Sequence, residues 1–333
     1  MAAAKLGIAM TGPFAEPTPA SAAIAKEAEG LGYDSLWVAE FAGPDAIVTL
    51  TYHALHTSKA MLATGVLPIQ IRTPGVMGMA FLTLNEISGG RAAAGIGVSS
   101  PGLVETSHGA AYRKPVTAMR EYVQILRQFF TEGRAKFEGQ VYRCNLRLAM
   151  RLTQKQRPKI YMAALNPPMV KLAGELADGV LFNFCPPEMV AGRIAIVREA
   201  AQAAGRNPDD VEIAMYAFMY ITGADHGPSL QNLKRFVSNY AFLPNYDRMF
   251  STFGFGEELA EVRRLVKEGK RENAYQAISD ASAYRLSAFG SADAGREWIG
   301  RCRAAGVTHP VVWLLGDTSA QAFAETMRAV AHA

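Results

Sequence analysis

The run "MLATGVLPIQIRTPGVMGMAFLTLNEISGGRAAAGIGVSS", Met61 to Ser100, decides the fold. Met61–Ile69 is an apolar stretch suited to a strand buried on both faces. Gly75–Ser88 carries apolar residues at helical spacing, and Pro74 fits the first turn of that helix. Arg91–Ser100 is a second apolar stretch, rich in alanine and glycine. A strand, a crossover helix and a second strand make a parallel βαβ unit, because antiparallel neighbours need only a tight turn. Two details are unusual for a strand's far end: Gly65 directly before Val66, and Arg72-Thr73-Pro74-Gly75 soon after.

The same unit recurs on both sides. Strand candidates are Lys5–Met10, Asp34–Phe41, Lys59–Ile69, Arg91–Ser100, Pro158–Leu165, Asp178–Phe184, Asp210–Gly223 and His309–Gly316. Helical patterns lie between them, as in "PASAAIAKEAEGLG" and "PVTAMREYVQILRQFFTEG". Lys136–Asn145 reads as a hairpin or an extended excursion, and a mostly helical insertion at about 225–289 interrupts the rhythm. Eight strands alternating with helices predict a (β/α)8 TIM barrel with insertions. A doubly wound sheet is the rival, but "AMTGPFAEPTPA" after the first strand has no GxGxxG. No low-complexity linker divides the chain, so residues 1–333 are expected to form a single domain.

Bulk properties narrow the function. Of 333 residues 50% are hydrophobic and 19% charged, which excludes a largely disordered chain. The net charge of +4, without a Lys/Arg run, argues against a nucleic-acid groove. Cys144, Cys185 and Cys302 are widely spaced, which suits reduced thiols in the cytoplasm. No apolar run is long enough to cross a bilayer and no cleavable leader is visible, so a cytoplasmic protein is expected. His53 and His56 share a helix face but lack a third ligand, so no metal is expected.

A barrel builds its active site from the carboxyl ends of its strands. Here those ends are Met10-Thr11, Glu40-Phe41, Thr64-Gly65-Val66, Gly97-Val98-Ser99-Ser100, Ala163-Ala164-Leu165-Asn166 and Phe182-Asn183-Phe184. Small residues dominate, and Glu40 is the only acid among them. That suits a flat, bulky cofactor better than a hydrolase with paired carboxylates.

Several long motifs, in order, resemble the bacterial luciferase-like flavin and deazaflavin oxidoreductases. They are "EGLGYDSLWVAE", "GVLPIQIRTPGVMGMAFLTLNEISGGRAAAGIGVSS", "HGAAYRKPVTAMREYVQILR" and "IYMAALNPPMVKLAGELADGVLFN". The wording "RTP", "REYV" and "AALNPPMVKLAGELADG" looks most like the branch that uses coenzyme F420, resembling methylenetetrahydromethanopterin reductase. The resemblance implies hydride transfer between the deazaflavin and a small organic substrate: reduction of C=N, C=C or C=O, or oxidation of an alcohol.

It also implies roles. Gly65-Val66 stands where the family commonly has a non-prolyl cis peptide behind the cofactor ring. Thr64, Gly97, Val98 and Ser99 would flank that ring, and Ala163 to Asn166 would approach the cofactor phosphate. Glu40 matches an acidic position that could touch the cofactor edge or supply a proton from an apolar mouth. Relatives commonly have Asp followed by His there, whereas Phe41 follows Glu40. Arg72 would bind an anionic group or pair with a neighbouring carboxylate. Thr11, Phe41, Ser107 and His108 are the substrate-side candidates, and Ser107 stands where relatives often have Trp. A homodimer is expected. Two alternatives stand beside this reading: an FMN-dependent luciferase-like monooxygenase served by a flavin reductase, and a non-catalytic barrel that sequesters a flavin.

Overall fold

The computed structural model describes residues 5–40, 42–221, 227–316 and 319–331. Its strands, in chain order, are β1 (Gly7–Ala9), β2 (Ser35–Val38), β3 (Met61–Thr64), β4 (Leu67–Pro68), β5 (Ala92–Gly97), β6 (Arg134–Glu138), β7 (Arg143–Arg147), β8 (Lys159–Ala163), β9 (Gly179–Phe182), β10 (Glu212–Tyr220), β11 (Ala288–Phe289) and β12 (His309–Leu314). Parallel pairing runs β1-β2-β3-β5-β8-β9-β10-β12 and returns to β1 through Gly7↔Val311. That closes the eight-stranded barrel. β6 and β7 form the antiparallel hairpin expected from the sequence, and β11 adds a short pair beside the end of β10.

The helices are α1 (Pro19–Gly30), α2 (Ala46–Ala54), α3 (Pro74–Ile87), α4 (Pro115–Glu132), α5 (Pro167–Leu176), α6 (Pro187–Ala203), α7 (Gly227–Tyr240), α8 (Pro244–Thr252), α9 (Gly256–Lys267), α10 (Asp280–Tyr284), α11 (Ala292–Ala304) and α12 (Ala320–Ala331). Local chemistry sets their ends. Asp45 caps α2 by accepting from the Ile47 and Val48 amides, and α4 stops at Gly133, whose φ of 69° favours glycine. The β6–β7 hairpin is clamped by Glu121 of α4. This buried carboxylate accepts from the amides of Gln140, Val141 and Tyr142 at 2.6, 2.9 and 2.8 Å.

The structure departs from the sequence reading at two elements. The run Met61–Ile69 is not one strand. Between the pairs Ala63↔Ala93 and Leu67↔Ile96, the chain takes four steps against three on β5. The extra residue is a bulge, and it re-aims the strand at its carboxyl end. Helix α11 was not singled out by the alternation. It starts at Ser291, whose side chain accepts from the Ala294 amide, and it buries Trp298, Ile299 and Cys302.

The barrel interior is packed in layers. Towards the amino ends lie two hydrogen-bonded sets, Trp37–Ser35–His309 and Tyr161–Glu212. Towards the carboxyl ends lie Tyr216 and Phe218 of β10 and Trp313 of β12, with ring centroids 4.6 and 5.4 Å from Trp313. The inserted helices pack on this upper layer. Phe236, Tyr240, Tyr246 and Phe250 all contact Phe184, which stacks on Phe218 at 4.5 Å. Tyr240, Tyr246 and Phe250 of the insertion therefore cover strand ends, whereas Phe242 is 43% exposed.

Candidate active site

Glu40 follows β2 and does not stand alone in an apolar mouth. Arg72, just before α3, grips it with both guanidinium nitrogens: Nη1 on Oε1, and Nη2 on Oε2 at 3.0 Å. The Ala46 amide at the start of α2 donates to Oε2 at 3.0 Å, and Arg72 Nη2 also reaches Asp45 Oδ2 at 2.6 Å. Hydrogen bonding to Glu40, ahead of an opposing burial effect, raises the Arg72 pKa. Burial raises the Asp45 carboxyl, but the Val48 amide and Arg72 outweigh it and leave that pKa lowered. Of the two expectations for Arg72, the structure shows pairing with carboxylates. Both Glu40 carboxylate oxygens are thereby held as hydrogen-bond acceptors by Arg72 and the Ala46 amide.

The Gly65–Val66 peptide is cis, as the resemblance implied. The Tyr216 hydroxyl crosses the barrel and donates to the Gly65 carbonyl. A Cβ on Gly65 would lie 2.0 Å from that hydroxyl, so only glycine fits. The Thr64 side chain is spent inside the wall, giving a 2.7 Å bond to Gly95 O and accepting one of 3.0 Å from Gly95 N. Gly95 leaves room for the bulge, since a Cβ there would stand 1.7 Å from Thr64 O. Beyond β5, the Val98 carbonyl accepts from Gln70 Nε2 at 2.8 Å, and Ser99 has a φ of 54°, a left-handed conformation costly for a serine. Gln70 Oε1 and the neighbouring Ser100 hydroxyl are buried without a partner.

On the opposite wall, Ala163–Asn166 leads from β8 into α5. Arg193 of α6 is buried and donates to the Leu165 carbonyl. Asn166 occupies the cap position of α5 without capping it by side chain; its Nδ2 donates instead to Asn245 O in the insertion at 3.0 Å. Asn183, after β9, donates from Nδ2 to the Tyr246 hydroxyl at 2.8 Å, while its Oδ1 is buried and unpaired. Phe184 follows with a φ of 48°. Thr11 is half-buried in the turn after β1. Ser107 and His108 are exposed at the end of a π-helical turn, Gly102–Ser107, and Phe41 lies outside the described residues.

Residues 7–309 match the model of the luciferase-like monooxygenase family. The chain belongs to the luciferase-like monooxygenase family. It is an enzyme of that family by its relatives' names. It is 31% identical over 328 residues to a Mycobacterium tuberculosis protein assigned provisionally as a coenzyme F420-dependent oxidoreductase, covering 92% of this chain and 94% of that one. It is 30% identical over 294 residues to 5,10-methylenetetrahydromethanopterin reductase of Archaeoglobus fulgidus, covering 86% of each. The solved structure of the coenzyme F420-dependent tetrahydromethanopterin reductase of Methanopyrus kandleri superposes with a TM-score of 0.82. At 24% identity it covers 98% of this chain and 97% of its own, and supports the shared fold.

Set in this family's barrel, several site residues escaped the sequence reading. Tyr216 had a usable signal: Tyr216, Phe218 and Tyr220 alternate along one face of β10. Asp45 and Gln70 had none, because their partners lie 27 and 28 residues away. Tyr246 lies in the aromatic run "FVSNYAFLPNYDRMFSTFGFG", but its pairing with Asn183 spans 63 residues. Among the described residues, no group of three or more His, Cys, Asp or Glu is placed to hold a metal, and no helix is long and apolar enough to cross a membrane.

Proposed function

We propose that this protein is a coenzyme F420-dependent oxidoreductase acting on a small organic substrate at the barrel mouth. The observation that carries the reading is the bulged cis Gly65–Val66 segment together with buried polar atoms that lack partners at the same end of the barrel. Gln70 Oε1 and Ser100 Oγ both lie at strand carboxyl ends. Buried polar atoms normally find partners, so this set suits a flat ring with a polar edge. The provisional F420-dependent naming of the mycobacterial relative supports the same cofactor.

When bound, the deazaflavin supplies two-electron hydride chemistry. The chain's own residues would do the rest. Gly65 and Val66 back the ring, with Tyr216 holding the Gly65 carbonyl in place. Gln70 and Ser100 offer an acceptor and a hydroxyl to its edge. Ala163–Asn166 and the first turn of α5 receive the phosphate, although Pro167 and Pro168 remove two N–H donors from that turn. Glu40, held by Arg72, accepts a hydrogen bond from the cofactor edge or the substrate and stays a positioned acceptor. The aromatic insertion excludes water above them.

Titration of the protein with coenzyme F420 and with FMN, followed by fluorescence, tests the reading. Micromolar F420 binding is expected; FMN binding without an F420 response refutes it and favours the monooxygenase alternative. F420 binding with no turnover across imines, enones, ketones and alcohols would favour the sequestering barrel. We further infer a homodimer through the outer face of α2 and α3, where Val48 and Leu55 are 57% and 69% exposed and Val76, Met79 and Ile87 continue the patch. The three free cysteines support a reducing, cytoplasmic setting.

A further inference from the structure

The insertion brings one hydrogen-bonding pair to the mouth that the coenzyme contacts above leave unused in part. Tyr246 of α8 meets Asn183 after β9 through a 2.8 Å bond from Nδ2 to the hydroxyl. A phenol oxygen that accepts this bond keeps its own proton to donate. Among the described residues no acceptor takes that proton. Turning the Asn183 amide end for end does not complete the pair: the hydroxyl would then donate to the amide oxygen, and the N–H end would be left over. In either orientation one polar group of this half-buried pair is left free to take a partner.

The position of the pair says what could bind. Tyr246 lies close enough to Tyr216 to raise the latter's pKa further, after burial itself. Asn183 directly follows β9, so the Tyr246 hydroxyl bonded to it stands at the carboxyl ends of the strands, the same end at which Tyr216 holds the Gly65 carbonyl. Its ring contacts are uncharged: Tyr240 at 4.4 Å, Phe250 at 6.2 Å and Phe184 at 6.4 Å. The adjacent acid, Asp247, is already paired with Arg263 at 2.5 Å. Burial pushes the Tyr246 hydroxyl up to about 12, so it remains a neutral donor across the physiological range. Neutral donors between aromatic faces favour flat, uncharged molecules over phosphorylated or carboxylated ones.

We propose that Tyr246 and Asn183 form the substrate-anchoring pair of this site. The Tyr246 O–H donates to the carbonyl oxygen or imine nitrogen of a flat, uncharged substrate, and the free end of the Asn183 amide meets a second polar atom of the same molecule. The placement of the substrate beside a cofactor rests on the reading under Proposed function; the anchoring pair itself does not need the cofactor.

The test uses the full chain, with and without coenzyme F420, and cyclohexanone labelled with carbon-13 at the carbonyl. In the wild type, the bound carbonyl resonance is expected to move downfield. Tyr246→Phe keeps the ring and its packing. It should retain coenzyme affinity, lose the downfield shift and bind the ketone about five- to tenfold more weakly, the worth of one hydrogen bond. Asn183→Leu, which deprives the hydroxyl of its orienting N–H, should reproduce the loss if Tyr246→Phe folds poorly. Unchanged shift and affinity in both variants overturn the proposal, as does failure of the wild type to bind the ketone. Tighter binding of cyclohexanecarboxylate than of cyclohexanone overturns the substrate class. Loss of F420 binding alone, with a ketone signal that still depends on Tyr246, removes the cofactor reading and leaves the anchoring pair intact.

Discussion

Replacing Arg72 by methionine should remove the counter-charge of Glu40 while keeping most of the side chain's apolar length. The guanidinium makes two contacts to Glu40 and one to Asp45, and the three side chains are 17%, 10% and 44% exposed, respectively. After the substitution Glu40 retains only the Ala46 amide. Removing one partner of a fully buried pair costs about 3–5 kcal/mol, whereas an exposed pair is worth about 0–1 kcal/mol. Glu40 lies near the buried limit and Asp45 nearer the exposed one, so a loss of about 2–4 kcal/mol is expected. An unfolding entropy of about 2.1 cal/mol/K per residue amounts to roughly 0.7 kcal/mol/K for this chain, so Tm should fall by about 3–6 °C. Glu40→Gln alone should cost less, because Arg72 still has Asp45. Combining the two should recover part of the loss, with a coupling energy of about 1–3 kcal/mol. Calorimetry and urea titration at neutral pH of the four proteins measure it. A Tm within one degree of wild type for Arg72→Met, or no coupling in the cycle, would falsify the assignment of Arg72 as the group that holds Glu40.

Two further outcomes follow from residues outside the mouth. Burial raises the Glu121 carboxyl, but the Tyr142, Val141 and Gln140 amides outweigh it and leave its pKa lowered in the folded protein. The stability it contributes is therefore present above the ordinary carboxylate range and is lost as pH falls through the folded value. Glu121→Gln should destabilise by roughly 2–3 kcal/mol at neutral pH, as one amide loses its acceptor, and the penalty should shrink on acidification; a pH-independent penalty in denaturant titrations would contradict the clamp. For the exposed face of α2 and α3, Leu55→Arg should convert a dimer to a monomer in sedimentation velocity, and a wild type that sediments as a monomer would dispose of that interface.

The barrel was legible because its strands are short apolar runs and its helices keep their 3.6-residue spacing, so the chain's period changes at each boundary. The bulge after β3 was not, since a strand and a bulged strand share the same apolar composition; Gly65 marks the place only when its neighbour Tyr216 is known. Helix α11 hides behind a polar sequence, "ADAGREWIGRCRA", in which few side chains face inward. At the site, the residue types at the strand ends were readable and their partnerships were not. Arg72 and Glu40 are 32 residues apart, and a charge near a site looks the same in sequence whether it waits for a ligand or is already neutralised. Glu121 illustrates the converse: "REYV" reads as an amphipathic helix surface, yet its acid is buried under the β6–β7 hairpin, a contact between residues 19 to 21 apart that neither local pattern announces.

At the amino end of the barrel, Ser35 Oγ lies 2.7 Å from His309 Nε2, and His309 Nδ1 lies 3.5 Å from Glu212 Oε2. Serine, histidine and carboxylate in that order form the skeleton of a hydrolase relay. Here it has no way to act as one. Trp37 Nε1 already occupies the serine oxygen at 2.7 Å, the histidine-to-carboxylate distance exceeds that of a formed hydrogen bond, and Ser35 and His309 are sealed from solvent. Glu212 spends its charge on Lys5, Lys159 and Tyr161. A template search by interatomic distance would assign esterase chemistry to the wrong end of this molecule. What separates a nucleophile from a keystone is an approach path for a substrate, and the sealed Ser35 and His309 on the floor of the barrel have none.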